Sequence, residues 1–311
     1  MKIITLTLSP AFDTHCHADT LRLEHENLIH MDLCQAGGKG VNISRALAHN
    51  GTENLALAVL GEENADSFTR NLTADGVTYE AITVPGRIRE NITIHVEGAP
   101  ETRLSFPGFP VTTDLLDRVA QILLDRADED TVITMTGRVP QGMAVEAVME
   151  VLEKAAQKGA KIVVDSRSFT LDHLKTLKPW LIKPNQEEIS AYLGREISSL
   201  QETLAEAKSL HEGGIANVMI SMGGDGALLV CREGAFIAVP PKVEVLSTIG
   251  AGDSAIAGFI SCAAEDPRER LLRAVAYGTA ACMTEGTLPP RPEDIAALLP
   301  QIPCKALRTE R

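Results

Sequence analysis

This chain of 311 residues has no run of apolar residues approaching membrane-spanning length. Its opening, Met1-Lys2-Ile3-Ile4-Thr5-Leu6, is too short an apolar run to read as a signal peptide. It has no internal repeat, no low-complexity segment and no linker-like stretch, so residues 1–311 read as one unit. Basic charge is scarce relative to acidic: net charge is −13 and the isoelectric point about 5.1. That balance argues against nucleic acid and anionic membrane as general partners, and an anionic ligand would need a local basic pocket. Its six cysteines (Cys16, Cys34, Cys231, Cys262, Cys282 and Cys304) include no C-x-x-C pair. Reduced thiols and a cytoplasmic location are therefore expected. His15-Cys16-His17 could place two imidazoles on one strand face, but no acidic or cysteine partner follows at metal-ligand spacing. Nor is there a G-x-G-x-x-G after the first strand, which disfavours a nicotinamide oxidoreductase.

What is present is a 44% hydrophobic composition in alternating strand and helix patterns. Strands are expected at residues 2–8, 55–60, 131–136, 161–165, 181–183, 218–221 and 228–231. Helices are expected at 41–49, 65–74, 115–123 and 143–157. Strand–helix–strand order with short connections predicts an α/β protein built on a mainly parallel sheet. Residues 11–34 and 87–106 break the rhythm and read as β-excursions forming a small lid, or else an oligomer contact or plain surface hairpins.

Four segments carry candidate chemistry. Ser247-Thr248-Ile249-Gly250-Ala251-Gly252-Asp253-Ser254 opens an apolar helix. A Gly-Ala-Gly turn leaves backbone N–H groups free to seat an anion. Asp253 would repel that anion unless it accepts a proton from a nucleophile attacking a phosphoryl group held there. Ala36-Gly37-Gly38-Lys39-Gly40-Val41-Asn42 offers close backbone approach, a cation and an amide at a helix start, and Gly40 stands where a Walker A motif needs Ser or Thr. Lys183-Pro184-Asn185-Gln186-Glu187-Glu188 puts Asn185 and Glu188 on one helix face, as a Mg²⁺ retaining its waters would use, or as a capping box would. Ser221-Met222-Gly223-Gly224-Asp225-Gly226 suits nucleotide phosphates or ribose, or a hairpin turn.

Taken in order along the whole chain, these segments resemble the PfkB (ribokinase-like) carbohydrate kinase family. The likeness is strongest to its phosphosugar branch, the 1-phosphofructokinases and tagatose-6-phosphate kinases, whose opening Ser9-Pro10-Ala11-Phe12-Asp13 approximates. The resemblance implies a three-layer αβα sandwich with a small β-sheet lid. It also implies transfer of the ATP γ-phosphoryl group, with Mg²⁺, to a sugar or sugar-phosphate hydroxyl. Fructose 1-phosphate is the lead acceptor; tagatose 6-phosphate, an unphosphorylated sugar or polyol, and a non-catalytic sensor are the alternatives. Carried onto this chain, Asp253 would be the base and Gly250, Ala251 and Gly252 the anion hole. Asn185 and Glu188 would hold Mg²⁺. Lys183, Asn185, Ser221, Gly223, Gly226 and Thr248 would lie along ATP. Asp13, Gly37, Gly38, Lys39 and Asn42 would hold the sugar, with Arg89 on its existing phosphate. A monovalent cation beside the anion hole and a homodimer joined through the lid edge also fit the pattern.

Two departures bear on the acceptor. Glu26-Asn27 is followed by Leu28-Ile29-His30, where phosphosugar members carry a basic residue. The family's small-residue turn is here Gly137-Arg138-Val139-Pro140, so that Arg138 either restores the missing charge or fills the pocket.

Overall fold

The computed structural model describes residues 1–262 and 266–307. In chain order its elements are β1 (Lys2–Thr7), β2 (Ala11–His17), β3 (His30–Gly37), α1 (Lys39–His49), β4 (Leu55–Gly61), α2 (Ala65–Ala74), β5 (Tyr79–Val84), β6 (Arg89–His95), β7 (Thr102–Ser105), α3 (Leu115–Arg126), β8 (Thr131–Thr136) and α4 (Val145–Gln157). There follow β9 (Lys161–Asp165), α5 (Leu171–Leu177), β10 (Leu181–Ile182), α6 (Gln186–Leu193), α7 (Leu200–Glu212), β11 (Asn217–Ser221), β12 (Ala227–Cys231), β13 (Gly234–Ala238), α8 (Ala251–Ser261), α9 (Pro267–Cys282), α10 (Pro292–Leu298) and β14 (Cys304–Leu307).

Among the described residues, ten strands form one sheet in the order β14-β13-β12-β11-β10-β9-β8-β1-β4-β5. From β5 to β11 every pairing is parallel; β11 to β14 pair antiparallel. The strands in the middle of this sheet are apolar on both faces, and the period of two sorts their side chains between two helical layers. Ile4, Leu6, Ile133, Met135, Ile162 and Val164 pack with α3, α4, α5 and α7. Ile3, Val132 and Val163 face the other way, against α1, α8, α9 and α10. Helices therefore cover both faces, giving the three layers expected.

The two β-excursions meet as a separate four-stranded sheet, in the order β3-β2-β6-β7. β2 runs parallel to β6 with Asp13 opposite Asn91, and antiparallel to β3 with Asp13 opposite Gln35. A register shift between His15 and Cys16 marks a bulge. The sheet has only a small core of its own, Cys16, Ala18 and Ile94, with Leu21, Ile92 and Val96 around it. It is tied to the main body by the buried Thr287 hydroxyl, which donates to Gln35 Oε1 at 3.1 Å.

Most of the elements expected from the sequence lie within two residues of their expected bounds, while α5, α7, α9, α10, β13 and β14 were not anticipated. The largest differences are α3, which runs on to Arg126, and α1 and α4, which start at Lys39 and Val145, each two residues from the expected start.

Candidate active site

The parallel strands β9, β10 and β11 end beside one another, and their carboxyl ends carry Asp165, Lys183 and Ser221 into one cleft. Facing them is the start of α8. Gly250 is its N-cap at φ +80°, a left-handed conformation that glycine adopts without strain. No side chain caps this end. The Ser254 amide donates to Gly250 O at 2.9 Å, while the Ala251 amide reaches back to Thr248 O at 3.4 Å. The Gly252 and Asp253 amides therefore precede any helical acceptor and are the ones presented to the cleft. A Cβ at Gly252 would lie 3.0 Å from Lys183 Nζ, so the bare glycine admits a buried ammonium to the anion seat.

Asp253 is only 6% exposed. Burial pushes its carboxyl up to about 6, against the opposing pull of Lys39 and a hydrogen bond from Asn42, while the Asp165 charge adds to the rise. That bond runs from Asn42 Nδ2 to Asp253 Oδ2 at 2.9 Å. Lys39 Nζ donates to Asp165 Oδ2 at 2.8 Å, and Lys183 Nζ lies 4.0 Å from the same oxygen. Burial works against the Asp165 carboxylate, but Lys183 and Lys39 outweigh it and hold the group below its usual range. Burial likewise works against the Lys39 ammonium, and Asp165 and Asp253 more than offset it. One carboxylate is thus kept ionised by two lysines, while its neighbour is poised near neutrality. A carboxylate so poised beside free amides can accept a proton from a hydroxyl attacking a bound phosphoryl group.

The four-stranded sheet closes the other end of the cleft. Asp13 on β2 is half-buried, and burial raises its carboxyl although the Asn91 hydrogen bond opposes this. A Cβ at Gly37 would overlap Asp13 Oδ2, so the bare glycine on β3 is what makes room for that carboxylate. Arg89 Nη1 donates to Asn91 Oδ1 at 2.8 Å, and its buried Nε has no hydrogen-bond partner. Arg138 lies close enough to Arg89 to lower its basicity further, after burial. Asp13, Arg89, Asn91, Arg138 and Thr287 line both this end and the main cleft. Two guanidinium groups and one carboxylate lining the same cavity suit an anionic ligand bearing hydroxyls.

Asn185 and Glu188 form a capping box at the start of α6. The Glu188 amide donates to Asn185 Oδ1 at 2.7 Å, and the Asn185 amide to Glu188 Oε2 at 3.1 Å. Glu188 Oε1 accepts from Arg167 Nε at 3.1 Å. Capping and cleft-lining coexist, because both residues also face the cavity. Each oxygen keeps a lone pair, so the pair fits a divalent ion held through water rather than one stripped of its hydration.

Of the residues singled out in the sequence, Asp13, Gly38, Lys39, Asn42, Arg89, Arg138, Lys183, Asn185, Glu188, Ser221, Gly250, Gly252 and Asp253 line this one cleft. Ala251 sits in the turn itself, and Gly37 lies behind Asp13. Thr248 lines an adjoining cavity with His15, His95 and Arg103. Gly223 is at the exposed tip of the β11–β12 hairpin. Gly226 is buried at φ +90°, where a Cβ would strike Ala238 O, so the hairpin explains it without a ligand. Leu28 is exposed. The sequence reading missed Asp165, Asn91, Arg167 and Thr287. Asp165 had a signal, a carboxylate as the last residue of a parallel strand; Asn91 had its place in the alternation of β6. The sequence reading also found no acidic partner following His15–His17 at ligand spacing; the fold brings Asp32 Oδ1, on the neighbouring strand β3, within 2.6 Å of His17 Nδ1.

Comparison with known proteins agrees with this geometry. The sequence profile of the pfkB family carbohydrate kinases matches residues 18–294. The chain is 33% identical to a 1-phosphofructokinase of Rhodobacter capsulatus, over 99% of this chain and 98% of the relative. It is 32% identical to the 1-phosphofructokinase of Escherichia coli (strain K12), over 83% of each. The crystal structure of phosphofructokinase-2 from Escherichia coli in complex with substrates and products superposes with a TM-score of 0.90 at 27% identity, covering 97% of this chain and 99% of that one.

Proposed function

The chain belongs to the pfkB family of carbohydrate kinases, and on that premise we propose that it transfers the γ-phosphoryl group of ATP to fructose 1-phosphate, giving fructose 1,6-bisphosphate. That it is a sugar kinase follows from the family; the choice of acceptor is supported by the relatives' named activity and by the cationic end of the cleft. The observation that carries the reading is one cavity lined together by Asp253, by Lys183, Asn185 and Ser221, and by Arg89 and Arg138, which also line the adjoining cavity against the four-stranded sheet.

In this reading the acceptor lies with its existing phosphate on Arg89 and Arg138 and its sugar hydroxyls on Asp13 and Asn42. The hydroxyl to be phosphorylated would face Asp253, which takes its proton as the oxygen attacks phosphorus. The Gly252 and Asp253 amides and Lys183 would hold the transferring phosphoryl oxygens as charge shifts between attacking and leaving groups. Asn185 and Glu188 would keep a hydrated Mg²⁺ against the nucleotide phosphates, and the ion would neutralise charge on the phosphate oxygens. Ser221 would lie along the nucleotide, with Thr248 at its rim. The four-stranded sheet would act as the lid, keeping water from the phosphoryl group.

In this reading Arg138, which lines the cavity with Arg89, supplies the cation that the exposed, apolar Leu28 does not. This favours a phosphorylated acceptor over a free sugar. Met31 on edge strand β3, Leu104 on edge strand β7 and Phe106 just after it are exposed, which supports a homodimer formed through this sheet. The six cysteines are free thiols, consistent with a cytoplasmic setting.

The test is ADP release over a panel of fructose 1-phosphate, tagatose 6-phosphate, fructose 6-phosphate and fructose, with wild type and Arg138→Ser. The highest kcat/KM is expected for wild type with fructose 1-phosphate. Acceptance of fructose 1-phosphate by Arg138→Ser alone would contradict the assignment.

A further inference from the structure

We infer that Asn91 is a positioning residue that binds Asp13 and Arg89 into one rigid unit, so that the groups taking the acceptor's hydroxyl and its phosphate are set at a fixed separation. The inference rests on the proposed reading of Asp13 and Arg89 as acceptor-binding groups.

In the parallel pair β2–β6, Asn91 stands directly opposite Asp13. Arg89 is two residues earlier on β6 and so shares the face of Asn91. Asn91 Nδ2 donates to Asp13 Oδ1 at 2.8 Å, and Asn91 Oδ1 accepts from Arg89 Nη1 at 2.8 Å. The carboxylate can only accept and the guanidinium can only donate, so the bridging side chain must do both. Within the length of an asparagine, a primary amide is the side chain that does both at fixed, opposite ends. Its two neighbours also fix which end is oxygen. An aspartate at this position would accept from Arg89 but, when ionised, present a carboxylate to a carboxylate.

The bridge engages one end of each partner. Asn91 occupies Arg89 Nη1, while Arg89 Nε is buried without a hydrogen-bond partner. Asn91 occupies Asp13 Oδ1, while Asp13 Oδ2 sits in the room that the missing side chain of Gly37 provides. Asp13, Asn91 and Arg89 all line the same cavity, so the bridged unit faces the ligand as a whole. Without the bridge, Arg89 would be free to swing onto Asp13 itself, neutralising the two groups against each other.

The experiment is a double-mutant cycle on the full-length enzyme with fructose 1-phosphate and ATP, using Asn91→Ala, Arg89→Ala, the double variant and Asn91→Asp. Asn91→Ala is expected to raise KM for fructose 1-phosphate by about tenfold or more, the loss of hydrogen bonds to charged groups. KM for ATP should stay at the wild-type value, and kcat within about threefold, a split that a general loss of folding would not give. In the Arg89→Ala background the same substitution should raise KM by no more than about threefold, because one side of the bridge is already gone. Asn91→Asp, matched in size, should raise KM at least as much as Asn91→Ala. If Arg89→Ala raises KM while neither Asn91 variant does, or if the effects of Arg89→Ala and Asn91→Ala simply multiply, the inference falls and the reading stands. If Arg89→Ala leaves KM unchanged, the reading falls and takes the inference with it.

Discussion

The Lys39 ammonium is paired with Asp165, at 2.8 Å, and the carboxylate it leaves to itself is Asp253. Both carboxylates are buried, both feel the same two lysines, and their acidities move in opposite directions. The division follows from geometry. Asp165 receives the hydrogen bond from Lys39, whereas Asp253 receives one from the neutral amide of Asn42.

Asp165→Asn should therefore change the chemistry of a residue it does not touch. The Asp165 charge raises the Asp253 carboxyl, so removing it, and releasing Lys39, lowers that pKa. The acid limb of the kcat/KM–pH profile should move to lower pH. Stability should drop by about 3 kcal/mol, since a buried charge pair loses one member. An unmoved acid limb, measured beside a denaturant melt, would separate Asp165 from Asp253.

The pH dependence of the wild type follows from the Asp253 value of about 6. The group must be ionised to take a proton, so kcat/KM should fall tenfold per pH unit below about 6 and level off above it. Stability runs the other way. A carboxyl whose folded pKa exceeds its unfolded value favours the fold when protonated, and that contribution is lost as pH rises from about 4 through about 6. Asp253→Asn should thus be more stable than wild type at pH 7, by up to about 3 kcal/mol, and gain less at pH 4. Parallel melts at the two pH values check the sign.

Gly37 and Gly226 should separate site from scaffold. Alanine at residue 37 would drive Asp13 from its place, raising KM for the acceptor by about tenfold or more while ATP binding persists. Alanine at residue 226 meets Ala238 O at a left-handed φ, so it should cost about 2 kcal/mol or more of stability. Folded Gly226→Ala enzyme should keep wild-type KM values for both substrates. A selective rise in its KM for ATP would return Gly226 to the nucleotide site.

The charge at Arg138 should be felt by phosphorylated acceptors and not by free sugar. Arg138→Ser should raise KM for fructose 1-phosphate by about tenfold to a hundredfold and leave any activity on fructose unchanged. Steady-state kinetics on the two acceptors, at fixed ionic strength, checks it.

Much of this was legible before the fold was known, and for identifiable reasons. Strand–helix alternation gave the parallel sheet because β1, β8 and β9 are apolar on both faces and had to be covered twice. Gly250–Asp253 and Gly37–Asn42 were legible because a bare turn at a helix start has few purposes. Asp165 was not, since a carboxylate in a strand declares its function only when Lys39 and Lys183, 126 and 18 residues distant in sequence, arrive beside it. Asn91 was hidden for the same reason: its meaning lies in the register with Asp13, 78 residues away. Asn185 and Glu188 show the converse difficulty, one spacing that serves a helix cap and a cleft wall together.

The central claim is that Asp253 accepts the proton of the attacking hydroxyl, and the most direct measurement is turnover of Asp253→Asn with ATP, Mg²⁺ and fructose 1-phosphate, alongside its affinity for ATP. The account predicts a fall in kcat of about a hundredfold to ten-thousandfold, with ATP affinity within about threefold of wild type. Undiminished turnover in a variant that binds ATP normally would contradict it.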